Sequence, residues 1–260
     1  MTRRFGVIGK DIAYSMSPAI HEWIAKRHGI DMTYEILDVE TSDLAVLVNG
    51  LREGFWHGFN VTKPYKRTII PFLDRLTPVA KTLDAVNTVF VKDGDLMGDN
   101  TDPDGFKALL ENVAIPIGPD DVYVIGNGGA ARAVVHVFEG MGIRTVVCAR
   151  SPERAGTMFP DVVGIGDLKP LAGHVVVNCT PVGTAPDVDR SVLSEEIVKG
   201  AYVIDLVYDP PVTALMRYAK EGINGRIMLC VQALESAKRF HGIDAGFDLT
   251  MLELFEGGNP

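Results

Sequence analysis

The sequence predicts an α/β fold in two domains, and three observations carry that prediction. Short apolar runs alternate with amphipathic stretches along the chain, the rhythm of mainly parallel sheets covered by helices on both faces. At 260 residues, 47% hydrophobic and 23% charged, the chain has enough core for one large or two medium domains. A break, Ile115-Pro116-Ile117-Gly118-Pro119-Asp120-Asp121, interrupts any helix ahead of a fresh strand.

Taken in order, the apolar runs at residues 5–9, 34–39, 59–62 and 86–92 read as strands. Between them, residues 18–28, 42–52, 65–73 and 79–83 read as helices, the first opened by Ser17 as N-cap with Pro18 at its first position. Residues 103–110 read as a connecting helix, which puts the domain boundary at about residue 102. The second half repeats the rhythm, with strands at 122–125, 145–149, 175–178 and 202–207. Their helices fall at 130–141, 152–158, a short piece near Glu195, and 213–221. The tail, 228–255, is helical in pattern, and periodicity leaves open which domain it packs on. No repeat period of a solenoid is present.

Charge and cysteine usage narrow the function classes. With 25 Lys+Arg against 34 Asp+Glu the net charge is −9, and no basic run offsets it, so the sequence argues against a nucleic-acid binder. Three scattered cysteines without a C-x-x-C pair, and six histidines without metal-ligand spacing, predict neither disulfides nor a metal site. The opening Met1-Thr2-Arg3-Arg4 leads into an apolar run too short for a signal peptide or a membrane span. The expected location is therefore the cytoplasm, where the N-x-T sequons at Asn60 and Asn178 carry no glycan.

A nucleotide site is predicted where the strand 122–125 runs into Gly126-Asn127-Gly128-Gly129-Ala130-Ala131, a G-x-G-x-x-A pattern opening a helix. Gly126 permits the tight turn, Gly128 removes the Cβ that would block a pyrophosphate, and Ala131 lets helix and strand approach, with the helix N-terminus toward the phosphates. The alternative is a purely structural turn. At the end of the next strand an acid would hold a free ribose 2′-hydroxyl. Here Arg150 and Ser151 stand there instead, with Arg154 one helical turn on, which suits the 2′-phosphate of NADP; two solvated surface arginines are the alternative.

Polar residues cluster at strand ends, where open α/β sheets place ligand contacts. Ser15 and Ser17 follow the first strand, Asn60 and Thr62 end the third, Asn87 lies in the fourth, and Asn100-Thr101-Asp102 closes the domain. Hydroxyls and amides suit a polyhydroxylated small molecule. Lys66 and Asp102 are the candidates for chemistry, because moving a hydride to or from a carbinol also requires a proton at its oxygen, and a lysine held near a carboxylate can carry one. By spacing alone Lys66 could equally be a surface lysine.

These residues together resemble the shikimate dehydrogenase family over essentially the whole chain. Ser15-Met16-Ser17-Pro18 is similar to its S-x-S-P segment, and Asn60-Val61-Thr62-Lys63-Pro64-Tyr65-Lys66 to its N-V-T-x-P-x-K motif. Ala85-Val86-Asn87-Thr88, Asn100-Thr101-Asp102, Asp205-Leu206-Val207-Tyr208-Asp209-Pro210 and Met228-Leu229-Cys230-Val231-Gln232 follow in the family's order. The resemblance implies reversible NADPH-dependent reduction of 3-dehydroshikimate to shikimate, on the way to chorismate and aromatic amino acids, by a monomer or homodimer. It implies a catalytic pair, Lys66 and Asp102, and substrate contacts from Ser15, Ser17, Thr62, Asn87, Tyr208 and Gln232. Cofactor contacts fall on Gly126, Asn127, Gly128, Gly129, Ala130, Arg150, Ser151, Arg154, Leu206 and Gly225. It also implies that residues 228–260 return to the substrate-binding domain 1–102, leaving 103–227 as a Rossmann-like NADP domain.

The chain departs from the family pattern at Asn127, at Ala149-Arg150-Ser151 where N-R-T is usual, at Pro78 in place of an acid, and at Asp84 in place of a glycine. Two rivals are a sister enzyme acting on quinate or an aminoshikimate with NAD, and a non-catalytic ligand-binding homologue.

Overall fold

The computed structural model describes residues 2–118 and 122–256. By contact density the chain forms two compact units, residues 1–104 with 230–260, and residues 105–229. The boundaries expected from the sequence were 102/103 and 227/228.

The first unit is built on a six-stranded sheet. Its strands are β1 (Arg3–Gly9), β2 (Met32–Asp38), β3 (Gly58–Val61), β4 (Arg75–Leu76), β5 (Thr88–Lys92) and β6 (Asp95–Asp99), in the order β2-β1-β3-β5-β6-β4. Helices α1 (Ser17–His28), α2 (Leu44–Arg52) and α3 (Pro78–Leu83) fall between them, and α4 (Asp102–Glu111) follows β6. Pairings β1·β2, β1·β3 and β4·β6 are parallel; β3·β5 and β5·β6 are antiparallel. From Phe5 to Gly9 every residue of β1 is buried, as a strand covered on both faces requires. Ile8, Phe59 and Val89 pack with Leu44 and Val48 of α2, while Phe5, Val7 and Phe90 pack with Tyr34 and Phe240.

The second unit holds a wholly parallel sheet. Its strands β7 (Val122–Ile125), β8 (Thr145–Ala149), β9 (Val162–Gly164), β10 (Val175–Asn178), β11 (Tyr202–Asp205) and β12 (Glu221–Asn224) run in the order β12-β11-β10-β7-β8-β9. Numbered within the unit this is 3-2-1-4-5-6, the dinucleotide-binding order. Between them lie α5 (Gly129–Gly140), α6 (Pro152–Ala155), α7 (Glu195–Val198) and α8 (Ala214–Tyr218); α9 (Arg226–His241) follows β12. Alternate residues face opposite layers. Val122 and Val124 meet Val134 and Phe138 of α5, whereas Ile125 packs with Val176, Leu193 and Leu215.

Several expectations are corrected. Residues 65–73 form turns and a short 3-10 helix at Ile70–Phe72 rather than an α-helix. Pro64 and Pro71 each remove a donor, and the Lys66 carbonyl is engaged outside the segment, accepting from the Val86 N–H at 2.7 Å. Ser17 is the first residue of α1 rather than its cap; Met16 occupies the cap position, and no side chain caps it. Strands β4, β6, β9 and β12 were not read from the sequence. They are short or polar, and β6 is announced only by Asp93-Gly94, whose φ values of 54° and 87° form a tight hairpin turn. Glu221, expected at a helix end, opens β12. The tail is one long helix, α9, and then a 3-10 stretch at Leu249–Phe255. Of the expected break at 115–121, residues 119–121 lie outside the described residues.

Candidate active site

In the first unit four expected site residues meet. Lys66 Nζ lies 2.5 Å from Asp102 Oδ2, with the lysine side chain one-fifth exposed and the carboxylate nearly buried. The other carboxylate oxygen, Oδ1, accepts from Asn87 Nδ2 at 2.8 Å. Gln232 reaches the same amide, its Oε1 3.4 Å from Asn87 Nδ2.

Local structure explains how each side chain arrives. Tyr65 is fully buried and its hydroxyl donates to the Val39 carbonyl at 2.6 Å, while its N–H donates to the Thr62 carbonyl at 2.8 Å. Because the next residue's carbonyl accepts from Val86, Lys66 is pinned between a buried anchor and the residue adjoining Asn87. Asp102 opens α4, where a helix N-terminus favours a carboxylate, and its N–H donates to Asn100 Oδ1 at 3.0 Å. The Asn87 amide is oriented by its surroundings: Oδ1 accepts from the Thr101 N–H at 2.9 Å and from Thr88 Oγ1 at 2.8 Å. Ser15 and Ser17 form their own pair, Oγ to Oγ at 3.1 Å. Thr62 is fixed by its N–H to the Ile8 carbonyl at 2.9 Å.

The structure thus makes Lys66 and Asp102 one chemical unit. A protonated amine in direct contact with a carboxylate can deliver a proton to a substrate oxygen or receive one, and the carboxylate keeps the amine in place. Among the described residues no cluster of His, Cys, Asp and Glu could hold a metal.

The second unit carries the nucleotide candidates. Gly126 has φ +107°, a conformation that favours glycine, and a Cβ there would also crowd Thr180 at 3.0 Å. Gly128 differs. Its backbone is extended at φ −85° and ψ −168°, and a Cβ built on it meets nothing within 4 Å. Neither backbone nor packing therefore demands glycine at 128, and open space lies in front of it, as a phosphate cradle at the N-terminus of α5 requires. Ala131 is fully buried against the strand. Gly129 and Ala130 form the first turn of α5, and Asn127 beside them is half-buried. Arg150, Ser151 and Arg154 are exposed after β8, and no carboxylate stands at 150 or 151. The residues present fit a 2′-phosphorylated dinucleotide.

The remaining expected residues sit after β11. Leu206 N–H donates to the Asn178 carbonyl at 3.0 Å, Gly225 N–H to the Val207 carbonyl at 3.3 Å, and Arg226 Nε to the Tyr208 carbonyl at 3.1 Å. This loop hangs on Asp205, which sequence reading quoted in a motif without a role. Fully buried, Asp205 accepts from Asn178 Nδ2, the Val207 N–H and Thr213 Oγ1 at 2.8, 3.1 and 2.7 Å. Burial raises its pKa against the pull of those three donors.

A 3-2-1-4-5-6 parallel sheet with a phosphate-ready glycine turn, in one chain with a unit holding a largely buried Lys–Asp contact, defines a nicotinamide-dinucleotide dehydrogenase. Residues 7–89 match the family model described as the shikimate dehydrogenase substrate binding domain. A shikimate dehydrogenase (NADP(+)) of Exiguobacterium sibiricum is 36% identical over 92% of both chains, and one of Clostridium perfringens is 32% identical over 92% of both. The crystal structure of shikimate 5-dehydrogenase from Thermus thermophilus, in complex with NADP(H) and shikimate, superposes with a TM-score of 0.87 at 31% identity, covering 98% of this chain and 99% of that one. This chain belongs to the shikimate dehydrogenase family.

Proposed function

We infer that this protein is an NADP-dependent shikimate dehydrogenase, which reversibly reduces 3-dehydroshikimate to shikimate in the pathway to chorismate and aromatic amino acids. The observation that carries the reading is the Lys66–Asp102 contact, made in the same polar cluster as Asn87 and Gln232. Relatives of nearly equal length carry that activity in their names.

The chain's own residues divide the work. In reduction, the Lys66 ammonium gives a proton to the oxygen of the reacting carbonyl; in oxidation the neutral amine takes it from the hydroxyl. Asp102 holds Lys66 and accepts a hydrogen bond from the reacting hydroxyl. Asn87 and Gln232, with Ser15, Ser17, Thr62 and Tyr208, bind the remaining hydroxyls and the carboxylate of the substrate. Gly126, Asn127, Gly128, Gly129 and Ala130 would hold the cofactor's pyrophosphate, and Arg150, Ser151 and Arg154 its adenosine 2′-phosphate. Leu206 and Gly225 would hold its nicotinamide end. When bound, NADPH supplies the hydride. Residues 1–102 with 228–260 form the substrate domain and 103–227 the cofactor domain. The working enzyme is cytoplasmic; no helix among the described residues is long and apolar enough to cross a membrane.

The test is an absorbance assay at the reduced-nicotinamide band, crossing shikimate and quinate with NADP and NAD. Shikimate with NADP gives the highest kcat/KM. Faster turnover of quinate with NAD would overturn the assignment.

A further inference from the structure

We propose that Ser236 and Arg239 of α9 are positioning residues that set the orientation of the Asp102 carboxylate; the proposal rests on the dehydrogenase reading above. Gln232, Ser236 and Arg239 stand at i, i+4 and i+7, one stripe of the helix.

Ser236 is fully buried and touches three motif segments at once. Its Oγ accepts from Asn60 Nδ2 at 2.8 Å, lies 2.8 Å from Thr88 Oγ1, and donates to the Gln232 carbonyl at 2.9 Å. That same carbonyl accepts from Thr101 Oγ1 at 2.9 Å. One hydroxyl and one carbonyl of α9 therefore register the end of β3, the start of β5 and the residue before Asp102. Asn60 is held in turn from its far side, where its Oδ1 accepts from the Tyr34 hydroxyl at 2.7 Å.

Two turns beyond Gln232, Arg239 Nε donates to Asp99 Oδ2 at 2.8 Å. Asp99 is 3% exposed, and its Oδ1 accepts from Thr77 Oγ1 at 2.5 Å and from the Asn100 N–H at 2.8 Å. Asn100 closes the chain of contacts, its Oδ1 accepting the Asp102 N–H and its Nδ2 donating to the Ala85 carbonyl at 2.9 Å. Arg239 is itself braced by Glu235 one turn back and by Asp104 at 3.8 Å. The backbone that carries Asp102 is thus fixed from two points on α9, neither of which touches Lys66. Buried, fully bonded networks of this kind hold one geometry, and loss of one member frees the rest to rearrange.

The experiment compares Ser236→Ala and Arg239→Lys with Lys238→Ala, an exposed residue of the same helix bonded to Asp244. Each is assayed with shikimate and NADP well below its Tm, with near-UV circular dichroism to verify folding. Misplacing a reacting group by a fraction of an ångström to about 1 Å costs up to about a hundredfold, so kcat falls about tenfold or more in both stripe variants while the KM for NADP stays within about twofold. The solvent deuterium isotope effect on kcat rises, because proton transfer becomes slower relative to other steps. Lys238→Ala keeps wild-type kcat. If Ser236→Ala does not fold, Arg239→Lys is read by the same criteria. Folded stripe variants with a lowered Tm but unchanged kcat and isotope effect would overturn the proposal, as would failure of both to fold while Lys238→Ala folds. A wild-type protein that does not turn over shikimate with NADP rejects the dehydrogenase reading instead.

Discussion

Replacing Lys66 by alanine separates chemistry from binding in one step. The substitution removes an ammonium 2.5 Å from Asp102 Oδ2 and leaves the Asn87 donor on Oδ1 in place. General acid–base catalysis contributes about 10²–10⁴-fold, so kcat falls by about a thousandfold, or about 4 kcal/mol of barrier. Shikimate binding changes little, because Ser15, Ser17, Thr62, Asn87 and Gln232 are untouched; Kd by calorimetry stays within about fivefold, each lost hydrogen bond being worth only about 1 kcal/mol. Stability declines modestly. Asp102 keeps one side-chain donor and the N-terminus of α4, and a nearly buried carboxylate short of one partner costs about 1–3 kcal/mol, a fall in Tm of several degrees. Initial rates are followed at the reduced-nicotinamide band in both directions. A variant that retains kcat within about tenfold of wild type refutes Lys66 as the proton carrier, and one that loses shikimate binding in parallel refutes the division of labour.

Three further outcomes follow from named contacts. Gly128→Val folds with an unchanged Tm, because nothing lies within 4 Å of the new Cβ, yet raises the KM for NADP at least about tenfold by occupying the phosphate cradle; an unchanged KM removes the pyrophosphate from that turn. Arg150→Ala weakens NADP about tenfold and leaves NAD unaltered, one charge-assisted contact to a phosphate being worth about 1.5 kcal/mol or more; equal losses for both cofactors would place the arginine elsewhere. Burial pushes His21 down to about 3, and burial with the nearby Arg3 pushes His241 down to about 4. An unfolded histidine titrates near 6.5, so as pH falls below that value the unfolded chain takes up protons that the folded one refuses, and Tm drops between about pH 6.5 and 4. His21→Phe keeps the stack on Tyr34, whose ring centroid is 4.4 Å away, and makes that drop shallower; an identical slope would locate the acid sensitivity in other groups.

Legibility differed with the kind of signal. Strands such as Val122–Ile125 and Val175–Asn178 were readable because short runs of β-branched and aromatic residues fit a strand covered on both faces. The hairpin β5–β6 was not, since β6 is bounded by aspartates and contains Gly98, so it lacks any hydrophobic period. The segment 65–73 had helical spacing, but Pro64, Pro71 and the tertiary bond from Val86 to the Lys66 carbonyl took it out of a helix. Asp84, unusual for its family position, proves to have φ 47° at the end of α3, a conformation aspartate tolerates better than most residues, and it pairs with Arg67. In the candidate site, Lys66, Asn87 and Asp102 stood out as polar residues beside strand ends, and their roles, with that of Gln232, came from the resemblance to the family's motifs, whereas Asp99, Ser236 and Arg239 carried no sequence signal beyond the helical offsets of the last two from Gln232.

By itself the sequence determined the fold class and the place of the glycine turn, because these depend on local period and backbone conformation, and its motifs named the candidates for the reacting groups. Only the tertiary structure decided which of these groups touch. Residues 66, 87, 102 and 232 are separated by up to 166 positions, and no local rule specifies that an amine, an amide and a carboxylate will share hydrogen bonds. That outcome depends on buried anchors such as Tyr65 and on the pairing of α9 with segments far away in sequence. It also depends on the low tolerance of a protein interior for an unsatisfied polar group, which leaves each buried donor few acceptors to choose from.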